Sequence, residues 1–345
     1  MNVFSELSLI LVDNNYIFCY YKLMNVIIPV AGKGTRLRPH THILPKSLLY
    51  VAGKPILGHI LDNFKRIPIT TFVIVVGDKG ESIVRFCKTY RYNFKFVSQK
   101  KRLGLGHAIY LGAKGLKEKT IVLLGDTIID WDFKKFTNKQ VNILAVKAVD
   151  DPHRFGIVEV KDNDVLDLVE KPKFPKSNLA IVGLYYFQHI GKVYHAVRSI
   201  MNRGIKTKGE YQLTDALKYL MEKGERFKVI RVDKWYDCGT AAALIETNRH
   251  LLKKNHHFRR RRKTIIQGPV YIADSAKIVN SIIGPHVSIG ENAIIHNSII
   301  KDSIINSAAA VENAMLSESI IGEKAIVRGG YKKLNVSTSS VIEIP

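Results

Sequence analysis

The stretch VIIPVAGKGTRLRPHTHILPKSL, residues 26–48, decides the fold of the chain. It opens with an apolar run that predicts a buried strand, and two glycines, Gly32 and Gly34, follow the run closely. Glycines at this place allow a tight turn whose N–H groups can bind phosphate oxygens where a strand enters a helix. Arg36 and Lys46 lie in the same loop region, and two such cations suit a polyphosphate.

The glycine motif has a simpler interpretation, which the residues alone leave open. A glycine pair after a strand also fits a plain tight turn. The motif is neither a Walker loop nor a full G-x-G-x-x-G, because no third glycine follows. The nearby cations favour an anion site over a plain turn.

The chain beyond this loop alternates apolar runs with segments of helical periodicity up to about residue 150. The apolar runs are continuous in Val, Ile and Leu, which is typical of parallel strands covered on both faces. The alternation therefore predicts a doubly wound, mostly parallel, Rossmann-like α/β sheet. The strands are predicted at 25–30, 71–77, 94–99, 120–126 and 141–149, and the helices at 55–67, 80–90 and 106–116.

The order from 151 to 240 is less regular. Strands are predicted at 155–160 and 181–187, and a helix is predicted at 214–224 with Thr214 as its cap. We interpret this region as an insertion that closes over one edge of the sheet.

A repeat follows a basic run, RRRRK, at 259–263. Aliphatic residues return every five or six positions, which predicts a parallel β-helix of hexapeptide repeats rather than ordinary hairpins. The returning positions are Ile272, Ile278, Ile283, Ile289, Ile294, Ile300 and Ile305. The predicted division is an N-terminal extension outside the fold at 1–23, a first domain at 24–255, a basic linker at 256–266, the β-helix at 267–331 and a tail at 332–345.

Composition limits the compartment and the partners. The 345 residues include 53 basic and 30 acidic side chains, a formal net charge of +23, which favours anionic partners. Three widely spaced cysteines without metal-ligand spacing favour a reducing compartment, so the cytoplasm is the expected location, with no membrane partner. The apolar stretches in residues 1–23 are too short to span a bilayer. A protein that starts at Met24 is therefore expected to keep its stability and activity.

Two acidic residues are candidates for a metal site. Asp126 follows a predicted strand in LLGDTIID, and Asp237 follows an apolar run in WYDCGT. Ligands of open α/β sheets bind beyond the carboxyl ends of the strands, and carboxylates there can hold Mg²⁺ bound to phosphates. A turn-capping role for Asp126 is the alternative.

Two further stretches contain polar candidates. Gln99, before the glycine-rich entry to a helix at Gly104, can pair with a base edge through its amide, although a surface side chain is the alternative. Glu170 and Lys171 precede a proline in VEKPKFPKSN, which usually marks a solvated loop. His107 is expected on the first turn of the helix that follows Gly104, and it has no assigned catalytic role.

Taken together, these stretches resemble the sugar-1-phosphate nucleotidyltransferase family, most closely its glucose-1-phosphate thymidylyltransferases and uridylyltransferases. The ordered set AGKGTRLRP, PKSL, GLGHAI, LLGD, RFGIVEV, VEKP, GLYYF and WYDCGT shows the resemblance, from about residue 24 to about 250. The C-terminal repeat is similar to the left-handed β-helix that many members possess.

The resemblance implies transfer of a nucleotidyl group from dTTP or UTP to a sugar 1-phosphate, with Mg²⁺ as cofactor, and the members named point to glucose 1-phosphate as the sugar substrate. The C-terminal repeat favours a homo-oligomer. By resemblance, the nucleotide is bound by Gly32, Gly34, Thr35, Gln99 and Gly104. The sugar is lined by Gly156, Glu170 and Gly183, the metal is held by Asp126 and Asp237, and the catalytic residues are Arg36, Lys46, Asp126 and Lys171.

Three other functions remain open on the sequence. Some relatives use the β-helix as an acetyltransferase, for which His286 and His296 could be bases, although structural capping and oligomer contact are favoured. Catalytically silent relatives act as subunits of a translation-initiation exchange complex, but Arg36, Lys46 and both acids are present here. The basic run could bind nucleic acid, although it lacks a surrounding motif and reads as a solvated linker.

Overall fold

The structure is a computed structural model that describes residues 9–12, 15–18, 24–136, 139–329, 331–332 and 334–343. Near the N-terminus, Leu9–Val12 and Asn15–Phe18 pair as an antiparallel hairpin. The rest of the 1–23 segment, including Cys19, lies outside the described residues.

A nine-stranded sheet forms the framework of the first domain. Its strand order is β6-β10-β8-β7-β9-β4-β1-β2-β3, with β5 and β11 paired in a small sheet of their own. The strands are β1 (Met24–Pro29), β2 (Ile69–Val76), β3 (Phe94–Ser98), β4 (Thr120–Leu123), β5 (Thr127–Ile129), β6 (Asn142–Ala148), β7 (Gly156–Lys161), β8 (Asp164–Glu170), β9 (Leu179–Phe187), β10 (Phe227–Arg231) and β11 (Trp235–Asp237).

The two halves of the sheet differ in strand direction. Strands β4, β1, β2 and β3 are parallel neighbours, as the continuous apolar runs predict. Strand β9 runs antiparallel to both β4 and β6, and β7 and β8 form an antiparallel pair beside it. The region interpreted as an insertion over one edge is therefore corrected, because its strands extend the main sheet itself.

Helices cover both faces of the sheet, which confirms the doubly wound arrangement. Alternate residues of β1 point to opposite cores: Val26 and Ile28 join one cluster, and Ile27 joins the other. The first cluster includes side chains of α1, α2 and α6, and the second includes those of α3, α4 and α5. The helices are α1 (Ile56–Asp62), α2 (Gly80–Cys87), α3 (Leu105–Ala113), α4 (Ile190–Asn202), α5 (Leu213–Glu222) and α6 (Ala241–Leu252).

The predicted cap of α5 is wrong. The helix begins at Leu213 after Gln212, and Thr214 lies inside its first turn. The Thr214 hydroxyl donates instead to Oε2 of Glu170 at 3.1 Å. The hydroxyl thus donates to a tertiary carboxylate, whereas a capping hydroxyl would accept from a backbone N–H of the first turn.

The C-terminal domain is a left-handed parallel β-helix with three faces. Each face is a five-stranded sheet in which every strand pairs in parallel with the strand one coil later. The first face contains Thr264–Ile266, Ser281–Ile283, Ile299–Lys301, Met315–Ser317 and Tyr331–Lys332; the second, Val270–Ile272, Val287–Ile289, Ile304–Ile305, Ile320–Ile321 and Asn335–Val336; the third, Lys277–Val279, Ile294–His296, Ala310–Glu312, Ile326–Arg328 and Val341–Glu343.

Aliphatic columns fill the interior of the β-helix. Ile278 pairs with Ile295, and Ile295 pairs with Val311, so the coils are 17 and 16 residues long here. Strict hexapeptides would give about 18 residues per three-sided coil. One predicted position is wrong: Ile294 is 47% exposed, and Ile295, six positions after the buried Ile289, points inward instead.

Two predicted domain boundaries are also corrected. Residues 264–266 pair with 281–283, so the first coil begins inside the predicted linker. Strands at 335–336 and 341–343 pair with the preceding coil, so the stack continues beyond residue 331 into the predicted tail. Within the described residues, no helix is both long and apolar enough to span a membrane.

Helix α6 forms contacts between the two domains. Arg249 forms ion pairs with Asp302 at 2.6 Å and with Glu318 at 3.3 Å. The neighbouring Asn248 is fully buried, donates to the carbonyl of His286 and accepts from Ser288. The β-helix is therefore packed against the domain that contains the glycine turn.

Candidate active site

The loop after β1, residues 30–37, is named here the signature turn. Gly34 has φ +63°, a left-handed conformation, and starts a 3₁₀ helix, Thr35–Leu37. A Cβ at Gly34 would lie 2.9 Å from Cγ2 of Thr41 and 3.2 Å from Cβ of Lys46. Only glycine combines this conformation with so close an approach, and the turn therefore brings Lys46 next to the loop.

A second close approach places Asp126 beside the signature turn. The Gly125 amide, after β4, donates to the carbonyl of Pro29 at 3.2 Å. A Cβ at Gly125 would lie only 2.3 Å from Cγ1 of Val30. Glycine is required here because a Cβ would overlap the Val30 side chain and lie 2.9 Å from the Pro29 carbonyl oxygen.

The two candidate metal ligands converge. Strands β5 and β11 pair with Thr127 opposite Asp237, and the Cys238 amide donates to the carbonyl of Asp126 at 3.0 Å. Asp126 and Asp237 are therefore brought to the same edge, although they are more than a hundred positions apart in sequence. Lys46 Nζ forms an ion pair with Oδ2 of Asp126 at 2.5 Å.

The charges around Asp237 show how close these groups are. Burial raises the pKa of Asp237, and the negative charge of Asp126 raises it further. The cations Lys46, Arg36 and Arg154 act in the opposite direction on the same pKa. Two neighbouring carboxylates can hold a metal cation between them. The three cations around them can attract anionic groups.

Arg36 also lies next to Asp237. A Cβ at Gly239 would be 2.9 Å from Oδ1 of Asp237 and 3.2 Å from Nη2 of Arg36. Within the described residues, Arg36 forms no ion pair, so its guanidinium is free to meet an anionic ligand.

A cavity of about 590 Å³ opens over the signature turn. This volume is within the usual range for a small-molecule site. Six of the predicted site residues line it, namely Gly32, Thr35, Lys46, Gln99, Gly104 and Asp126. Gly34 and Arg36 lie at the turn without lining this cavity.

Gln99 is fixed at the wall of the cavity. The residue is 5% exposed, and its Nε2 donates to the Gly104 carbonyl and to Nδ1 of His107, both at 3.1 Å. Burial lowers the pKa of His107, which keeps the imidazole neutral and able to accept. His107 therefore orients Gln99, a role that the sequence did not indicate.

The predicted sugar residues form a second group. Oε2 of Glu170 lies 3.1 Å from the Cβ position of Gly156, and Lys171 Nζ is 3.7 Å from Oε1 of Glu170. The Gly183 carbonyl accepts from the amide of Leu124, a residue that lines the cavity. None of the four predicted sugar or sugar-phosphate residues, Gly156, Glu170, Lys171 and Gly183, is itself in the cavity wall described above.

A Glu170→Gln variant is expected to be more stable than the parent at neutral pH. Burial raises the pKa of Glu170. The folded protein therefore holds this proton more tightly than the unfolded chain, so stability is greatest below the unfolded pKa and falls as pH rises through the folded pKa. Glutamine removes that loss and still accepts from Thr214.

Urea unfolding from pH 4 to pH 8 measures this effect. The variant should show a flatter pH dependence of the free energy of unfolding, whereas the exposed-site control Glu222→Gln should follow the parent. Parallel curves for Glu170→Gln and the parent would contradict it.

Two cations that the sequence analysis did not select belong to this region. Arg102 Nε donates to the Ala31 carbonyl at 3.1 Å, and its Nη2 pairs with Asp78 at 2.6 Å, so it braces the signature turn. Arg154 Nη2 lies 3.9 Å from Oδ2 of Asp237. Arg154 opens the quoted RFGIVEV stretch, whereas Arg102 lies between Gln99 and the quoted GLGHAI stretch.

The carboxylate pair fits a magnesium ion. Mg²⁺ is usually held by one or two carboxylates, with phosphates and water completing its shell. Among the residues that the structure describes, no group of three or more His, Cys, Asp or Glu could hold a metal by itself. Asp126 and Asp237 therefore fit an ion that a phosphorylated substrate helps to bind.

The doubly wound sheet, with a glycine turn after β1, has the architecture of nucleotide-binding α/β proteins. Its sequence also matches the family model for nucleotidyl transferases over residues 25–254. The chain therefore belongs to the nucleotidyl transferase family, and the resemblance found in the sequence is confirmed.

Individual relatives agree with this placement. The chain is 35% identical to the bifunctional protein GlmU of Methanocaldococcus jannaschii over 258 residues, 73% of this chain and 61% of that protein. It is 29% identical to glucose-1-phosphate thymidylyltransferase of Streptomyces griseus over 319 residues, 84% of this chain and 88% of that protein. The matched region therefore spans about three fifths of the archaeal relative.

A solved structure shares the fold. UDP-glucose pyrophosphorylase complexed with UDP-glucose superposes with a TM-score of 0.58 and 26% identity, covering 67% of this chain and 99% of that one.

Proposed function

We propose that the protein transfers a nucleotidyl group from dTTP or UTP to a sugar 1-phosphate, with glucose 1-phosphate as the sugar substrate, and releases pyrophosphate. The observation that supports this most directly is the meeting of Asp126, Asp237, Arg36 and Lys46 beside the signature turn. Such a set can neutralise a triphosphate and position it for attack.

The proposed reaction needs no protein nucleophile. An oxygen of the sugar phosphate attacks the α-phosphorus, and the bond from that phosphorus to the oxygen bridging to the β-phosphate breaks. Arg36 would stabilise the departing pyrophosphate, and Lys46 would contact phosphate near the reacting centre. A Mg²⁺ ion held by Asp126 and Asp237 would supply charge neutralisation at the phosphates.

The nucleobase would lie against Gln99 and Gly104. Within the described residues, the hydrogen bonds of the Gln99 side chain are formed by Nε2. Its Oε1 would then accept from the N3–H of uracil or thymine, a donor that both bases present. This contact suits both uracil and thymine, so it does not distinguish dTTP from UTP.

The sugar would lie between Gly156, Glu170 and Gly183. Glu170 would accept from sugar hydroxyls, and Lys171 would contact the sugar phosphate. The names of the relatives support this class of substrate, since the Streptomyces proteins are glucose-1-phosphate thymidylyltransferases and the solved neighbour is a UDP-glucose pyrophosphorylase.

The acetyltransferase alternative is less well supported by the surroundings of its candidate bases. His286 Nδ1 is 3.1 Å from Oδ1 of Asp302, and the His286 carbonyl accepts from Asn248 of α6. This histidine lies at the contact between the two domains, as expected of a structural role. His296 is exposed on the third face of the β-helix.

The experiment is a matrix of dTTP, UTP, ATP and GTP against several hexose 1-phosphates, with pyrophosphate release as the readout and Mg²⁺ present. Pyrophosphate should form only when both substrates are present, and most rapidly with a pyrimidine triphosphate and glucose 1-phosphate. Preference for UTP with another sugar phosphate would correct the substrate but keep the reaction. No release with any pair would favour a non-catalytic regulatory subunit.

A further inference from the structure

The last coil of the β-helix contacts the segment that follows the signature turn. Ser337 Oγ donates to the carbonyl of Pro39 at 2.9 Å, across 298 positions of sequence. His40 Nε2 forms a hydrogen bond with Oδ1 of Asn335, and since an amide oxygen only accepts, the imidazole donates. The C-terminal coil therefore touches the loop of the candidate active site.

This contact continues into the signature turn itself. Thr41 is 3% exposed, and its Oγ1 donates to the carbonyl of Gly34 at 2.7 Å. Lys79 Nζ donates to the carbonyl of Thr41 at 2.5 Å from the opposite side. A chain of contacts thus leads from the last coil through residues 39–41 to Gly34.

The segment from residue 35 to residue 48 has little regular structure to hold it. The helices Thr35–Leu37, His40–His42 and Lys46–Leu48 are single 3₁₀ turns, and none has a side-chain hydrogen bond at its N-cap. Short 3₁₀ turns have poor hydrogen-bond geometry and little stability of their own. The conformation of this loop therefore depends on contacts from outside it.

The contact is largely shielded from water. His40 is 4% exposed and Ser337 is 6% exposed. Loss of a partner in such a place leaves a buried polar group without a hydrogen bond, which costs more than loss of an exposed bond.

We propose that Asn335 and Ser337 are positioning residues for the signature turn: the last coil of the β-helix holds the turn in its triphosphate-binding conformation. The inference rests on the proposed function of that turn. The β-helix then contributes to the free energy of triphosphate binding, although it does not line the cavity. It acts by reducing the freedom that the loop would lose when the triphosphate binds.

The test compares Asn335→Ala and Ser337→Ala with the parent and with Ser340→Ala. Ser340 lies in the same coil. Within the described residues, its side chain forms no hydrogen bond to residues 34–42. Asn335→Asp keeps an acceptor for His40 at an exposed position and serves as the rescue variant. Steady-state kinetics gives KM for the triphosphate and kcat, and hydrogen exchange follows the amides of residues 34–42.

Each alanine variant is expected to raise KM for the triphosphate about three- to tenfold, the range expected for one buried hydrogen bond, with kcat changed less than about twofold. Exchange of the loop amides should accelerate in both. Ser340→Ala and Asn335→Asp should resemble the parent in all three measurements.

Hydrogen exchange separates this inference from the proposed function. If no substrate pair is turned over but the loop amides exchange faster in Asn335→Ala and Ser337→Ala, the proposed reaction fails and the positioning role stands. Unchanged loop exchange in both variants would overturn the positioning role. Equal changes in Ser340→Ala would also overturn it, because they would reflect general loosening of the coil.

Discussion

Replacement of Asp126 by asparagine is expected to lower kcat for pyrophosphate release by about 100-fold or more, the loss typical of a key electrostatic group in an active site. Asparagine keeps the size of the side chain and removes its charge. The carboxylate is 36% exposed, so its loss should have little effect on folding. The reason for the effect is the loss of half of the carboxylate pair that would hold Mg²⁺ beside the signature turn.

Steady-state assays at saturating substrate concentrations measure the loss of kcat. A Mg²⁺ titration tests whether weaker Mg²⁺ binding causes that loss. The variant should need a higher Mg²⁺ concentration for half-maximal rate. Asp164→Asn is the matched control, since that acid lies on the β7–β8 hairpin and pairs with Lys228. Near-normal turnover of Asp126→Asn would remove this carboxylate from the catalytic site.

Replacement of Lys46 by glutamine should lower kcat by a similar factor, about 100-fold, but for a different reason. Nζ of Lys46 is held 2.5 Å from Asp126, and the side chain is only 13% exposed. A cation fixed at this place can stabilise charge that develops on the phosphates, without reorganisation during the reaction. Glutamine keeps much of the length and loses that charge.

The two variants should differ in their response to Mg²⁺. Loss of Lys46 removes a cation that competes for Asp126, so the Mg²⁺ concentration for half-maximal rate should not rise. Lys218→Gln is the control, because Lys218 forms a partly exposed ion pair with Asp167 and is not among the predicted site residues. A Lys46→Gln variant with parental kcat would show that the lysine has only a structural role.

The framework of the first domain was accessible from the sequence because its causes are local. Runs such as 71–77 and 120–126 need apolar side chains on both faces, and this pattern predicts parallel strands before any contact is known. The direction of β9 was not accessible, because all nine of its residues are buried and its apolar run resembles a parallel strand. Only the pairing partners decide that direction.

The candidate site was accessible in part. Gly34 and Gly125 mark close approaches that exclude a Cβ, whereas a Cβ at Gly32 would meet nothing within 4 Å. The resemblance suggested that Asp126 and Asp237 meet, but the physical cause is the β5–β11 pairing and the Cys238 amide, which a pattern of side chains does not encode. The roles of His107 and Arg102 depend on distances between loops and were missed for the same reason.

The β-helix shows the limit of a periodic pattern. The repeat predicted the architecture because each coil needs an inward aliphatic residue on every face. The exact register was lost at Ile294, because steps of five and of six residues both occur in the repeat and two adjacent isoleucines, Ile294 and Ile295, fit them equally well. The contact of the last coil with Pro39 and His40 could not be read from the repeat, since it depends on how the two domains pack.

The most direct test of the account is the position of a divalent ion. Crystals grown with Mn²⁺ and a non-hydrolysable pyrimidine triphosphate analogue would locate it by anomalous scattering. The expected result is one peak beside the signature turn, within about 2.0–2.4 Å of a carboxylate oxygen of both Asp126 and Asp237. A peak that contacts neither acid would contradict the proposed mechanism. So would a structure in which both acids face the bound analogue but share no ion.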